Sequence, residues 1–249
     1  MTRQIVFWFG AAMFAVTISA GLLRLPGAGR CQSAYADTIN AVALPDRHTP
    51  QNVSAVNLDY RAVDTLGEEH IFLAAVTGVI LLMRMQRSER QGPATDEADG
   101  RRPPVTDDLL RGLGAILFGG TLLVGVYIIL HGHLTPGGGF QGGVLLASAF
   151  FYVYLSAEYE RFQELGPTSI FDVVEAAGAG SFTLLGIVGV LAGAAFLQNV
   201  LPLGKPNSLL SSGTILMLNV VVGLEVFAGL VLTLNEFLRQ TLEIREADK

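Results

Sequence analysis

The chain has 249 residues, 51% of them hydrophobic and only 15% charged, with a formal net charge of −6. That balance is out of place in a water-soluble domain and points to lipid as the solvent. The single cysteine, Cys31, excludes an intramolecular disulfide and any cysteine-built metal or iron–sulfur site, so neither a metal nor a cofactor is expected.

An apolar helix needs about 20 residues to cross a hydrocarbon core about 30 Å thick, and six runs in the chain meet that requirement. The first extends from Ile5 to Leu23. Ala34-Tyr35-Ala36 has the form of a signal-peptidase site, but it lies far past the end of a run too long for a signal core. The segment is therefore expected to stay as a span. After a loop of about forty residues, the second run covers Asp64 to Met83, uninterrupted from Ile71 onward.

The polar, proline-bearing stretch at residues 86–105 reads as an exposed linker. Beyond it come Leu113–Leu130, Gly137–Ala157, Val173–Leu197 and Gly213–Leu234, joined by short loops. The expected fold is all-α: a polytopic membrane protein of six transmembrane helices. Two lie in a module at 1–85 and four in a module at 106–249. Glycines inside the runs are compatible with spanning helices, which alone among open chains satisfy every backbone amide without water.

Orientation follows the positions of Lys and Arg beside the spans. An N-terminus on the inside puts Arg3, Arg84, Arg87, Arg90, Arg101, Arg102, Arg111, Arg161, Arg239, Arg245 and Lys249 in the cytoplasm. Arg24, Arg30, Arg47, Arg61 and Lys205 are left outside. Both termini are thus expected to be cytoplasmic, with the basic cluster 84–111 anchoring the inner leaflet and no role in binding nucleic acid.

Several residues are candidates for chemistry. Gly139, Gly143 and Ala147 are spaced by four, which makes a face where another helix backbone can approach closely. Pro136 suits a helix start. The run Pro136, Gly137, Gly138, Gly139, with Gly142 and Gly143 after it, serves either as a packing motif or as a broken-helix turn with carbonyls free for a cation. His131 and His133 flank Gly132 in the turn before it, where imidazoles relay protons or simply hydrogen-bond at the interface. Two histidines without a third ligand make no metal site.

Glu225 falls near the middle of the last span, where an ionised carboxylate costs on the order of 2.5–3.5 kcal/mol, so a compensating partner, a proton or an ion path is required. Glu175, in the fifth span, shares a helical face with Gly178, Phe182, Gly186, Gly189 and Gly193 and so points toward a packed neighbour. Asp172, one turn earlier, belongs at headgroup level. Asp64, Glu68 and Glu69 make the start of the second span acidic, with Asp64 and Glu68 on one face. Thr65-Leu66-Gly67-Glu68 also has the form of a capping box, which needs no ion. Glu225, Glu175, Asp64, Glu68, His131 and His133 are the candidates for cation or proton translocation.

The stretch Gly132-His133-Leu134-Thr135-Pro136-Gly137-Gly138-Gly139-Phe140-Gln141-Gly142-Gly143 resembles the GHxxPGGGFxGG signature of the MnhB-type subunit of Mrp (Mnh) sodium/proton antiporters. Asn199 to Gly204, Ser211 to Thr214 and Asn219 to Val226 are similar to that family's last loop and helix. In the first module, the segment from Asn57 to Glu68 looks like the NFRxxDTLGE pattern of the small E-type domain. In relatives that domain closes the antiporter's A-type subunit or stands alone in membrane-bound hydrogenases.

The resemblance implies a multi-pass subunit of the bacterial or archaeal plasma membrane, in contact with lipid and with homologues of the Mrp antiporter A, C, D, E, F and G subunits. It implies antiport of sodium or another monovalent cation against protons. No lysine lies in the six spans, in contrast to the large proton-conducting subunits, so the chain is not expected to pump alone. No nucleotide loop or nucleophile motif supports an enzyme. The alternatives are a membrane-arm subunit of a hydrogenase or related oxidoreductase, and a scaffold whose carboxylates only hold helices together.

Overall fold

The computed structural model describes residues 2–25, 33–83 and 107–247, with the backbone alone at 2–3, 157–160 and 239–247. The linker at 86–105 and Cys31 lie outside the described residues. The described residues form helices and no strand: α1 (Thr2–Leu23), α2 (Ala34–Arg47), α3 (Asn52–Ala55), a π-helical turn (Val56–Tyr60), α4 (Ala62–Met83), α5 (Asp108–Leu130), α6 (Gly139–Leu165), α7 (Thr168–Leu191) and α8 (Thr214–Ala247). Six of them are long and apolar enough to cross a membrane. They are the six expected, each with shifted ends.

The chain forms two compact units, residues 1–39 and 40–249. The first holds α1, whose apolar side chains from Ile5 to Leu23 are largely exposed within it. The second is organised around α8, which packs against α4, α5, α6 and α7. A helix buried on most of its surface must be apolar nearly all round, and the span Thr214–Leu238 is the most hydrophobic of the six.

Turn chemistry sets the ends. Hydropathy carries the fifth run to Leu197, but α7 stops at Leu191 because Gly193 takes a left-handed φ of 80°. Its N–H and that of Ala194 donate to the Val190 and Gly189 carbonyls, a Schellman cap. Gly193 therefore leaves the α7 stripe and is exposed. At the other end of α7, Gly166 and Pro167 alone join it to α6. The loops 131–138 and 192–213 and the start of α4 share one end of this unit, called the upper end below.

The expected long loop between the first two spans is mostly helical. Gln51 caps α3 through its side-chain oxygen, which accepts from the Val53 and Ser54 amides. Arg47 pairs with buried Asp59 and lies over the Tyr60 ring, while the His48 imidazole is 2.7 Å from the Gly204 carbonyl. The Ser212 hydroxyl donates to the His48 carbonyl at 3.0 Å. These contacts bind residues 47–60 to the loop before α8. A phenylalanine group of Phe118, Phe150, Phe171 and Phe227 packs edge-on or tilted between α5, α6, α7 and α8.

Candidate functional site

The glycine string brings three helices into backbone contact. Gly137 and Gly138 have φ of 133° and 145°, a region nearly closed to other residues, so the turn is non-helical and α6 starts only at Gly139. Pro136 accordingly stands three residues ahead of the helix, not at its start. A Cβ on Gly143 would lie 2.7 Å from the Gly223 carbonyl oxygen, and one on Gly142 2.8 Å from that of Gly125. The face of α6 that carries Gly139 and Gly143, spaced by four, thus presses on α8, and the neighbouring face with Gly142 presses on α5.

Asn219 of α8 ties this turn to α3. Its Oδ1 accepts the Gly139 N–H at 3.0 Å, and its Nδ2 donates to the Ser54 hydroxyl at 3.3 Å and to the Ile215 carbonyl. Ser54 in turn donates to the Gly132 carbonyl at 2.7 Å. Around this junction is an open cavity of about 300 Å³, lined by Ser54, Asn57, Thr65, Glu68, Glu69, Gln141 and the Gly137–Gly139 backbone, among others.

Glu69 is only 3% exposed and belongs to the buried stripe Ala62, Thr65, Glu69, Val76 of α4. Its carboxyl group interacts with that of Glu225, which is fully buried. Both oxygens of Glu225 and Oε2 of Glu69 nevertheless lack a hydrogen bond of normal length. Glu175 is the next acid to act on Glu225, and Asp172 acts on Glu175.

The packing is reciprocal. Gly178 of α7 lies against Glu225, where an added Cβ would be 2.7 Å from the glutamate Cβ. Gly229 of α8 lies against Glu175, at 3.0 Å from Oε1. At 1.5 Å per residue, Glu69 is roughly 10 Å below the start of α4, Glu225 roughly 16 Å below the start of α8, and the level of Gly229 and Glu175 roughly 22 Å. Three buried carboxyl groups therefore form a row away from the cavity, Glu69 against Glu225 and Glu175 next to act on Glu225. The four spans of α4, α6, α7 and α8 contain no Lys or Arg to compensate them.

The other candidates separate from this row. Glu68 is exposed at the cavity mouth, and exposed Asp64 pairs with Arg61 on the first turn of α4. The capping box does not form. α4 begins at Ala62, so Thr65 lies inside it and donates to the Asn57 carbonyl at 2.7 Å. His131 stacks on Tyr127, with ring centroids 4.0 Å apart. His133 is fully buried, its Nε2 3.3 Å from the Ser208 carbonyl and its own carbonyl accepting from the Gln51 amide. Burial pushes this imidazole below its ordinary value, the nearby His131 acts in the same direction, and the Ser208 contact opposes them. Neither histidine lines the cavity.

Residues 109–232 match the model of a domain related to the MnhB subunit of Na+/H+ antiporters. The corresponding B-type subunit of the Na+/H+ antiporter of Bacillus subtilis is 34% identical over 119 residues, 45% of this chain and 79% of that protein. The chain belongs to the MnhB family. Its likeness extends past the matched domain to solved structures. One is in the archaeal membrane-bound sulfane sulfur reductase, a respiratory membrane complex, with a TM-score of 0.72 and 27% identity over 96% of this chain and 99% of that one. Another is in the Mrp complex of Dietzia sp. DQ12-45-1b, with a TM-score of 0.75 and 26% identity over 95% of this chain. There the match is 26% of a much longer polypeptide, so counterparts of both halves of this MnhB-family chain also occur within one polypeptide. Glu69 and the α3–α4 wall of the cavity lie outside the segment matched by the MnhB domain.

Proposed function

We infer that the chain is a non-enzymatic subunit of a multisubunit sodium/proton antiporter of the plasma membrane, and that Glu225 and Glu175 carry protons or cations along the α4–α7–α8 interface. Membership in the MnhB family supports the antiporter. The row Glu69, Glu225, Glu175 supports the translocation role, because uncompensated carboxyl groups at membrane depth are costly to keep without an ion to exchange. The cation asymmetry favours cytoplasmic termini, which puts the cavity on the outside. Homologues of the other antiporter subunits are the expected partners.

Glu225→Gln tests this reading, since it keeps shape and removes the ionisable group. In vesicles carrying the assembled complex, sodium-driven proton exchange is expected to fall about tenfold or more with subunit composition unchanged. Wild-type exchange at every pH would leave Glu225 a packing residue. A second reading, a membrane-arm subunit of a respiratory complex, is favoured by the near full-length likeness to the reductase chain. Co-purification with iron–sulfur subunits in place of antiporter subunits would select it.

A further inference from the structure

We propose that the cavity above Glu69 is a binding site for a partly hydrated monovalent alkali cation, assembled jointly by α3–α4 and by the glycine turn and α8. The proposal builds on the antiporter reading by assigning the cation, as distinct from the proton, a place to wait. It stands on three observations.

The lining has one sign. Glu68 and Glu69 are acidic, Ser54, Asn57, Thr65, Gln141 and Asn219 supply hydroxyl and amide groups, and no Lys, Arg or His is among the lining residues. Two acids and no base repel an anion, whereas oxygen donors suit a hard cation. Glu69 is also buried beside the cavity it lines, with no hydrogen-bond donor on Oε2. Its neighbour Glu225 is an acid too, the surrounding spans lack Lys and Arg, and the basic group that acts on this carboxylate is the imidazole of the adjacent His70.

Size and charge then select the ion class. A volume of about 300 Å³ is on the order of ten water molecules, enough for an ion that keeps part of its shell. Calcium sites wrap the ion in six to eight oxygens, commonly from several carboxylates. Here one carboxylate is deep and the second, Glu68, is exposed at the mouth, which matches a single positive charge.

The test is a footprint on Glu69 in the full-length chain in lipid nanodiscs. Dicyclohexylcarbodiimide modifies buried carboxyl groups, and mass spectrometry reads the modified peptide. Sodium chloride is expected to slow modification of Glu69 about tenfold relative to choline chloride at equal ionic strength, and Thr65→Val to raise the sodium concentration needed by about tenfold. If Thr65→Val does not fold, Gln141→Leu at the more exposed rim replaces it.

Where the reagent fails to reach Glu69 even in choline, equilibrium dialysis with radioactive sodium compares wild type with Glu69→Gln, and loss of one bound ion is expected. Equal modification in sodium and choline, protection by magnesium or calcium alone, or undiminished sodium binding by Glu69→Gln would each overturn the proposal. The two readings fail separately. Sodium protection with undisturbed exchange in Glu225→Gln keeps the cation site and removes the carboxylate route, while lost exchange without protection removes only the site.

Discussion

Substituting Gly178 by alanine probes the carboxylate row through its packing and leaves every ionisable group in place. The new Cβ would lie 2.7 Å from the Glu225 Cβ and 3.0 Å from both its Cα and its backbone nitrogen. Carbon atoms in good contact are about 3.5–4.0 Å apart, so α7 and α8 must separate by about 1 Å at this level. Overpacking of this kind costs about 1–3 kcal/mol, because the obstructing atoms are backbone or next to it and no rotamer relieves them.

Gly180 of the same helix is the internal control, since an alanine there meets nothing within 4 Å. Both substitutions gain about 0.5–1 kcal/mol of helix preference, which cancels between them. Gly178→Ala should therefore be about 1–3 kcal/mol less stable than Gly180→Ala, a difference of about 2–4 °C in Tm for each kcal/mol in a chain of this size. Heating the detergent-solubilised chain and following the loss of monodisperse protein reads this difference. Equal stability of the two variants would refute the close α7–α8 approach at Glu225, and with it the geometry of the row.

The buried imidazole of His133 predicts an acid-side weakness. Its folded value is below the unfolded 6.5, so the unfolded chain binds the proton first, and stability falls as pH drops through about 6.5 until the folded state also protonates. His133→Gln should flatten that segment of the stability–pH curve, and an unchanged slope would show that His133 does not carry it. Orientation is tested in a Cys31→Ser background by impermeant thiol labelling. Lys205→Cys should react from outside and Thr95→Cys only after permeabilisation, and the reverse would invert the topology.

The spans were legible because a run of about 20 apolar residues has few other uses, and the α7 stripe because glycines at helical spacing leave one smooth face. Glu225 was legible for the related reason that a lone acid deep in such a run demands an explanation. The ends were harder. Residues 192–197 remain apolar after α7 has stopped, so hydropathy ran on to Leu197 while Gly193 turned the backbone.

Asp64 and Glu68 share a helical face, and that pattern suggested a site, yet both are exposed and their neighbour Glu69 is buried. A rotation of about 100° between successive residues separates Glu68 from Glu69. The signal that finds Glu69 is the spacing Ala62, Thr65, Glu69, Phe72, Val76, in which the acid occupies a position otherwise given to small or apolar side chains. The π-helical turn and the helices at 34–55 were not legible, since their polar sequences lack a clear apolar period, and His48 among them is held by contacts with a loop some 160 residues away.

Asn219, Glu225 and Gly229 all belong to α8, the last of the six spans in chain order. During synthesis the earlier helices enter the membrane before it, and at that stage Glu69 and Glu175 have no carboxyl neighbour between them. The cavity also lacks the amide that joins its two walls. The row therefore has no middle member, and the cavity no joined walls, until the final helix docks.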